Sequence, residues 1–516
     1  MGNFIKIYFW QVISILFNFA AVFVVTPYIS SNQSLYGIYA VVTSAYLFIS
    51  YADFGFLSAA MKYAAESFAK KNMEDEIKVI GFAAMVFLIF IAIYSLGIIG
   101  VSISPKILVS DLNNESEINI ARSLLIILAI FCPVFVIQRI LQIIFGVRLK
   151  DYMFQRILIV SNLIKVLSAI FFFGAGKYLI VEYFLFSQLC TLSAVCVGVC
   201  LAKKSLKYDI KLLFKSIKLT KEQYQKTKKL AYTSVFLTLS WILYYELDTF
   251  VIAKFLGPTA VAIFAIALTI MSYFRTIFGV FFSPFIAKFN HFIGLENNEG
   301  LKQFFMKILV IFIPLTVFPV ICVVFTVKSF IFTWVGPQYI TSVTIAQTML
   351  MCYLFSFITY PSGILIMAKE RVKALYITSS LQPFIYWIGI ILTYPILKLE
   401  AFSYFKFIAF FIEAIVYLIY INYYFKLKFW SFVKEIIMPS LPAIIFISII
   451  LFCIRDYMPL AHSKFNLMLY FAIIGAVIAL GFVIYYLSSS IFKNFVNEIV
   501  SRIRNRNKIT PNIASK

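Results

Sequence analysis

The sequence predicts an all-α polytopic membrane protein with about fourteen transmembrane helices. Hydrophobic residues make up 62% of the 516 residues and charged residues only 13%, whereas soluble domains average about 45–50% and about 25%. The 58 Phe and 32 Tyr residues carry more apolar surface than one water-soluble core can cover. Apolar runs of about 20 residues, the length of helix that crosses about 30 Å of hydrocarbon, recur along the whole chain.

Fourteen such runs follow one another. The first is a full span without a small-residue cleavage site near its end, so we expect a retained helix and not a signal peptide. The runs cover residues 7–28, 36–57, 79–101, 120–145, 157–174, 181–202, 230–256, 260–283, 304–327, 342–367, 374–396, 402–425, 436–454 and 465–487.

The net charge of +23 follows this topology. If the N-terminus is cytoplasmic, the cytoplasmic segments hold 32 of the 45 Lys and Arg residues and the outer connections hold six. Cytoplasmic loops of membrane proteins are enriched in Lys and Arg. We therefore expect fourteen spans with both termini in the cytoplasm, and no binding to nucleic acid.

A basic segment divides the runs into two groups of six, with two more at the end. An even number of spans in each group means that both groups start on the same side, so a repeat between them is parallel. The predicted parts are a six-helix bundle (1–202), a basic linker (203–229), a second six-helix bundle (230–425), two additional helices (426–487) and a basic tail (488–516).

The linker contains ten lysines, which we interpret as a topological anchor between the two halves. Its apolar residues are spaced as on one face of a helix, which also suits a basic amphipathic helix on the anionic inner leaflet. These residues are Leu206, Ile210, Leu213 and Ile217.

Three segments carry a resemblance to a known family. The first segment, residues 36–39 (Tyr-Gly-Ile-Tyr) with 53–60 and 62–66, resembles the second-helix signature of polysaccharide exporters. The other two segments, residues 248–257 with 262–265 and residues 363–371, resemble later parts of the same proteins. Together with the six-six-two layout, they resemble the O-antigen and polysaccharide flippases. These flippases form a branch of the multidrug/oligosaccharidyl-lipid/polysaccharide exporter superfamily.

The resemblance implies a bacterial inner-membrane protein that moves undecaprenyl-diphosphate-linked sugar units from the cytoplasmic to the periplasmic leaflet. Its partners would be this lipid-linked oligosaccharide, the membrane lipids, and the polysaccharide polymerase and chain-length regulator of the same pathway. Two alternatives stay open: a cation-coupled multidrug or small-molecule extruder of the same superfamily, and a non-transporting scaffold of a polysaccharide synthase complex. Extruders often carry an acidic residue in the first helix, and run 7–28 has none.

The sequence gives no indication of an enzyme. His291 and His462 are the only histidines, and the topology places them on opposite sides of the membrane. The seven cysteines lack metal-ligand spacing, and no glycine-rich phosphate loop occurs. We therefore expect no catalytic residue, no metal and no cofactor.

Polar residues inside the runs are costly and mark candidate functional positions. Gln11, Ser14 and Asn18 share one face of the first helix, and Tyr245 and Asp248 share one face of the seventh. Such stripes suit either helix–helix packing or a wet central cavity. We assign Gln11, Ser14, Asn18 and Tyr245 to the cavity lining and Asp248 to coupling with an ion gradient.

Glu246 lies two residues before Asp248, which is about 200° around an ideal helix. Both carboxylates therefore cannot face one cavity, and Glu246 is assigned a packing or partner role.

Three cations lie seven to nine residues from the cytoplasmic ends of their helices, about 10–14 Å deep: Arg139, Lys165 and Arg275. Long cationic side chains either snorkel to the interface or serve a function. A diphosphate lipid needs compensating charges along its path, and guanidinium and ammonium groups both bind phosphate. We predict that these three residues bind the substrate.

Overall fold

The computed structural model describes residues 2–49, 51, 55–112, 114–174, 176–282, 285–369, 372–427 and 429–509. Helices form nearly all of these ranges, and no strand occurs in them. The predicted all-α class is confirmed. Asp53 and Arg371, which belong to the family-like segments, lie outside the described residues.

The chain divides into two compact units, Met1–Ala265 and Ile266–Lys516. The division falls within one long helix, so residues 230–265 pack with the first unit. The helices up to and including that long helix are α1 (Gly2–Ile29), α2 (Gln33–Ile49), α3 (Phe56–Ala69), α4 (Met73–Ile103), α5 (Glu115–Val147), α6 (Asp151–Phe173), α7 (Ile180–Ser205), α8 (Ile210–Ser216), α9 (Lys221–Tyr245) and α10 (Leu247–Phe282).

The second unit contains the remaining ten helices. Short 3-10 or π turns join some of them, as at Cys352–Phe355 and Val433–Ile437. The helices are α11 (Phe285–Gly294), α12 (Asn298–Trp334), α13 (Thr341–Met351), α14 (Ser356–Ala368), α15 (Val372–Leu397), α16 (Leu399–Phe425), α17 (Phe429–Phe432), α18 (Leu441–Ile454), α19 (Lys464–Ser488) and α20 (Ser490–Ile509).

Twelve stretches of the described chain are long and apolar enough to cross a membrane. The stretch Lys221–Phe282 contains both α9 and α10, and α2 is shorter, with 17 residues. Lys221–Phe282 includes the two predicted runs 230–256 and 260–283, and α2 lies in run 36–57, so the fourteen predicted runs correspond to these twelve stretches together with α2. The run 36–57 ends earlier than expected, because α2 stops at Ile49 and a new helix, α3, begins at Phe56.

Large apolar side chains lie on the outer faces of both units. In the first unit Ile93, Leu96 and Ile103 are 63–75% exposed, and in the second unit Leu392 and Ile396 are 73% and 84% exposed. Water would penalise such faces, whereas hydrocarbon accepts them. The chain is a multi-pass membrane protein.

In the first unit α5 is the central helix. It packs against α2, α4 and α7, while α1 packs on α6 and α3 packs on α4 and α9. In the second unit α12 has this place, with α13, α14, α18 and α19 around it and α15 paired with α16. The two additional C-terminal helices therefore pack on the second unit.

The helix α10 is interrupted at Gly257, whose dihedral angles are φ 77° and ψ 179°. This backbone conformation is essentially restricted to glycine. Pro258 follows it, and a side chain at Gly37 of α2 would begin 1.8 Å from the Pro258 carbonyl oxygen. Gly37 of one family-like segment thus packs on Pro258, the residue that follows another such segment, at a contact that admits no Cβ atom.

The linker 203–229 is only partly helical. Its helix α8 has seven residues and begins after Asp209, whose carboxylate accepts the Leu212 N–H at 2.9 Å. Helix α8 packs on α4, with Leu213 buried and Phe214 exposed. Burial raises the pKa of the Tyr208 hydroxyl, which lies just before it.

Candidate functional site

A cavity of about 310 Å³ lies inside the first unit, between α3, α5 and the first turns of α6. It is called the α5–α6 pocket below. Its lining is mixed, with an apolar part and a polar part. The apolar part includes Leu57, Phe145, Phe154 and Leu158, and the polar part consists of Ser58, Arg139, Gln142, Asp151 and Gln155.

Local structure fixes the polar side chains on two facing helices. Arg139 and Gln142 are three residues apart on α5, and Asp151 and Gln155 are four apart on α6, so each pair shares one helix face. The chain reverses between the helices at Leu149, which has φ 52°. The rings of Phe145 and Phe154 stack at 5.7 Å with an interplanar angle of 5°, which holds α5 and α6 together.

Arg139 is the predicted substrate-binding residue that lines this pocket. Its Nη1 donates to Gln142 Oε1 at 3.2 Å, and its guanidinium carbon lies 5.7 Å from the centre of the Phe135 ring. Opposite charge is present in the same pocket, because Asp151 is also a lining residue. The described part of the lining therefore contains one cation and one carboxylate.

Two oxygen atoms in the pocket lining are buried without a hydrogen-bond partner among the described atoms, Asp151 Oδ1 and Gln155 Oε1. A buried acceptor that lacks a donor costs about 1–3 kcal/mol. This part of the site is therefore complementary to a ligand that donates hydrogen bonds.

Lys165 does not line the α5–α6 pocket. Its Nζ donates to Thr191 Oγ1 of α7 at 2.8 Å, and the Ser161 hydroxyl, one turn before it, donates to the Cys190 carbonyl at 3.1 Å. Desolvation inside the bundle is thus offset by contacts with α7. The structure does not bring Arg139 and Lys165 into one pocket.

The three polar residues of α1 differ in their surroundings. Gln11 and Asn18 lie on the exposed surface of the protein and Ser14 is half-buried. Asn18 Oδ1 accepts a hydrogen bond from Asn162 Nδ2 of α6 at 2.6 Å. Asn18 therefore contributes to the packing of α1 on α6.

The predicted stripe of the seventh span is interrupted. Helix α9 ends at Tyr245 and α10 begins at Leu247, with Glu246 at φ −121° and ψ −27° between them. The expectation that Glu246 and Asp248 point about 200° apart assumed one continuous helix, and the break at Glu246 removes this premise.

Each of these residues is packed. Tyr245 is buried and its ring lies 4.3 Å from that of Trp241. Glu246 accepts a hydrogen bond from the Tyr51 hydroxyl at 3.3 Å. Asp248 is fully buried, and its Oδ1 accepts the Thr249 N–H at 2.8 Å in the first turn of α10.

Arg275 belongs to the second unit, where its carbonyl oxygen accepts a hydrogen bond from the Tyr360 hydroxyl at 3.3 Å. The same unit has a buried polar network that the sequence did not predict. Glu413 of α16 accepts from Gln382 Nε2 of α15 at 2.7 Å and hydrogen-bonds with Tyr417. The available signal was a Glu and a Tyr four residues apart inside an apolar run.

A second unpredicted residue of this unit is Lys406. It is fully buried on α16, and its ammonium nitrogen lies 5.1 Å from the centre of the Tyr386 ring.

No protein-family model matches the sequence, and no curated protein matches it. Solved structures match its fold. Lipid II flippase MurJ, in an inward closed conformation, matches with a TM-score of 0.67 and 14% identity over 92% of this chain and 99% of that one. An inward-facing multidrug resistance MATE family transporter of the MOP superfamily matches with a TM-score of 0.63 and 15% identity over 80% and 94%. A MOP superfamily transporter from Pyrococcus furiosus matches with a TM-score of 0.54 and 14% identity over 82% and 94%.

The chain is therefore an all-α, multi-pass membrane protein with the fold of MOP-superfamily transporters. The similarity includes nearly the full length of each of these three structures.

Proposed function

We propose that this protein is a flippase for an undecaprenyl-diphosphate-linked oligosaccharide, an O-antigen or related polysaccharide repeat unit. It moves the lipid from the cytoplasmic to the periplasmic leaflet of a bacterial inner membrane by alternating access. The observation that carries this proposal is the fold similarity to a lipid flippase along 92% of the chain. The similarity to the inward-facing MATE family transporter covers 80% of this chain.

The substrate's diphosphate carries about two negative charges into a region where an uncompensated charge costs several kcal/mol. Arg139, Lys165 and Arg275 are cations within the membrane-spanning helices, and we assign them to the path of the substrate. Arg139 and Lys165 occupy different surroundings in the first unit, so each is assigned its own contact with the substrate.

Coupling of transport to an ion gradient is assigned to a carboxylate. Asp248 is buried at the beginning of α10, and it is the residue we propose for coupling to an ion gradient. Gln11, Ser14, Asn18 and Tyr245 are the proposed cavity-lining residues. The polysaccharide polymerase and the chain-length regulator are the proposed protein partners.

Transport into proteoliposomes tests the proposal. The full chain is reconstituted, and leaflet translocation of a fluorescent undecaprenyl-diphosphate-linked glycan is followed by its accessibility to a membrane-impermeant quencher. We expect translocation that exceeds that of protein-free liposomes. Drug efflux without lipid movement would instead identify an extruder. The absence of both activities would favour the non-transporting scaffold of a polysaccharide synthase complex.

A further inference from the structure

The α5–α6 pocket has the composition of a site for sugar hydroxyls. Five of the described lining residues are polar; one of them is a cation and one is a carboxylate, so the formal charges of the described lining cancel. A diphosphate would meet both Arg139 and Asp151 in this cavity, so the attraction of the guanidinium would be opposed by the carboxylate. A neutral polar ligand meets no such opposition.

The hydrogen-bonding pattern gives the same indication. Asp151 Oδ1 and Gln155 Oε1 are buried acceptors without a donor among the described atoms. A diphosphate diester offers acceptors alone, so it cannot satisfy them. Sugar hydroxyl groups donate and accept, and an N-acetyl group adds an N–H donor.

The remaining groups complete this match. Arg139 donates to Gln142 Oε1, which leaves the amide nitrogen of Gln142 as its donor group for ligand oxygens. Phe145 and Phe154 are stacked on each other and buried, and they close the apolar side of the pocket. A volume of about 310 Å³ is at the lower end of the range of small-molecule pockets, about 300–1,000 Å³, which suits roughly one or two sugar rings.

We infer that the α5–α6 pocket binds the glycan end of the lipid-linked substrate through Asp151, Gln155, Arg139 and Gln142. This inference rests on the proposed function, and it specifies which part of the substrate the first unit recognises. In the predicted orientation the pocket lies at the cytoplasmic end of α5 and α6, the side from which the substrate enters.

Binding to the purified full-length protein in detergent tests the inference with three probes. They are undecaprenyl diphosphate without sugar, the same lipid carrying an N-acetylglucosamine disaccharide, and an array of free oligosaccharides. The test variants are Asp151→Leu and Gln155→Met, which remove the two acceptor oxygens. The matched control is Gln138→Met, because Gln138 Oε1 is also buried on α5 without a partner among the described atoms but does not line the pocket.

We expect both test variants to weaken binding of the sugar-bearing lipid and of free glycans by about 5–10-fold, the effect of one lost hydrogen bond to a charged or buried group. Binding of undecaprenyl diphosphate should stay within about twofold of wild type, and Gln138→Met should behave as wild type with all probes. Equal losses for both lipids would mean that the pocket contacts the diphosphate, and that result overturns the inference. An absence of any loss also overturns it, as does wild-type protein that binds no glycan of the array.

A further variant leaves all the polar groups in place. A Cβ atom at Gly146 would lie 3.8 Å from Asp151 Oδ1 and 3.0 Å from Met61 Cε, the flexible end of a side chain. Gly146→Ala therefore narrows the pocket, and we expect weaker binding of glycans with unchanged binding of undecaprenyl diphosphate.

The inference and the proposed function can be refuted separately. Binding of free glycans that depends on Asp151, without translocation of lipid-linked glycan in proteoliposomes, would refute the flippase and retain the pocket. Translocation by wild type and by both test variants at one rate, with unchanged glycan affinity, would retain the flippase and refute the pocket.

Discussion

The guanidinium of Arg148 and the carboxylate of Glu76 form a two-bond ion pair, with Nη1–Oε1 at 2.7 Å and Nη2–Oε2 at 3.1 Å. Both side chains are buried, and the guanidinium also lies 4.9 Å from the ring centres of Phe68 and Tyr208. The pair joins the end of α5 to the beginning of α4 and the linker. Arg148, which contributes to the positive-inside pattern, therefore also joins helices through its ion pair with Glu76.

Removal of one partner leaves the other charge buried and uncompensated. We expect Glu76→Ala to lower the free energy of unfolding by about 3–5 kcal/mol, measured by thermal or denaturant unfolding of the detergent-solubilised protein. Glu74→Ala is the matched control, because Glu74 pairs with Lys78 on the exposed face of the same helix turn. An exposed pair contributes little, so equal effects of the two substitutions would contradict the structural role of Glu76.

The break in α10 depends on a residue without a side chain. We expect Gly257→Ala to destabilise the protein by about 1–3 kcal/mol, because φ 77° and ψ 179° strain any other residue. Gly100→Ala in α4 is the control, since a Cβ there meets nothing within 4 Å and alanine favours helix by roughly 0.5–1 kcal/mol. An equal decrease of the unfolding midpoint in both variants would contradict the special conformation at Gly257.

The orientation of the chain is tested with reporter fusions. A reporter after Ser205 or at the C-terminus should behave as cytoplasmic, and one near Asn113, which lies outside the described residues, as periplasmic. The physical reason is the excess of Lys and Arg in the cytoplasmic segments. A cytoplasmic signal at residue 113 would contradict the predicted count of spans before it.

Asp248 has one observed contact and one proposed role, and a pair of variants separates them. Asp248→Ala removes the acceptor of the Thr249 N–H, and we expect a loss of about 1–2 kcal/mol in the free energy of unfolding. Asp248→Asn keeps an acceptor oxygen but loses the charge, so it should fold normally and lose the dependence of transport on the gradient. Transport by Asp248→Asn with an unchanged response to gradient dissipation would exclude Asp248 as the coupling residue.

The cations are tested by substitution with alanine and with the other cation. Arg139→Ala and Lys165→Ala should each reduce glycan export, and Lys165→Arg should retain part of it, because the charge remains. Lys328→Ala is the control, since Lys328 is a basic residue that is predicted to lie outside the cytoplasmic half. Export at the wild-type level by the Arg139→Ala, Lys165→Ala double variant would support snorkelling in place of substrate binding.

The helices were predictable because each transmembrane helix needs its own apolar run, and runs can be counted along a chain. The Gly257 break was predictable as the gap between runs 230–256 and 260–283. The end of α9 was not, since Leu243, Tyr244 and Tyr245 continue an apolar pattern through Glu246. No rule of spacing distinguishes a helix that stops there from one that continues.

The candidate site was predictable only in part. The depth of Arg139 follows from its position in run 120–145, and the structure places it in a polar pocket. Asp151 and Gln155 belong to the next helix, and their approach to Arg139 depends on the turn at Leu149 and on the stacked Phe145 and Phe154 rings. Contacts between helices of this kind are tertiary, so one sequence alone does not specify them.

The length of α12 has a consequence for what lies outside the lipid. Its 37 residues extend about 55 Å along the helix axis, while the hydrocarbon core measures about 30 Å. Even a tilt of about 40° shortens the span along the membrane normal to only about 42 Å. More than two helical turns must therefore stand in the headgroup region or in water. Lys307 near the N-terminal end of α12 bonds Glu498 of α20 at 3.2 Å, so antibodies, proteases or spin labels directed at α20 would report on that end of the helix.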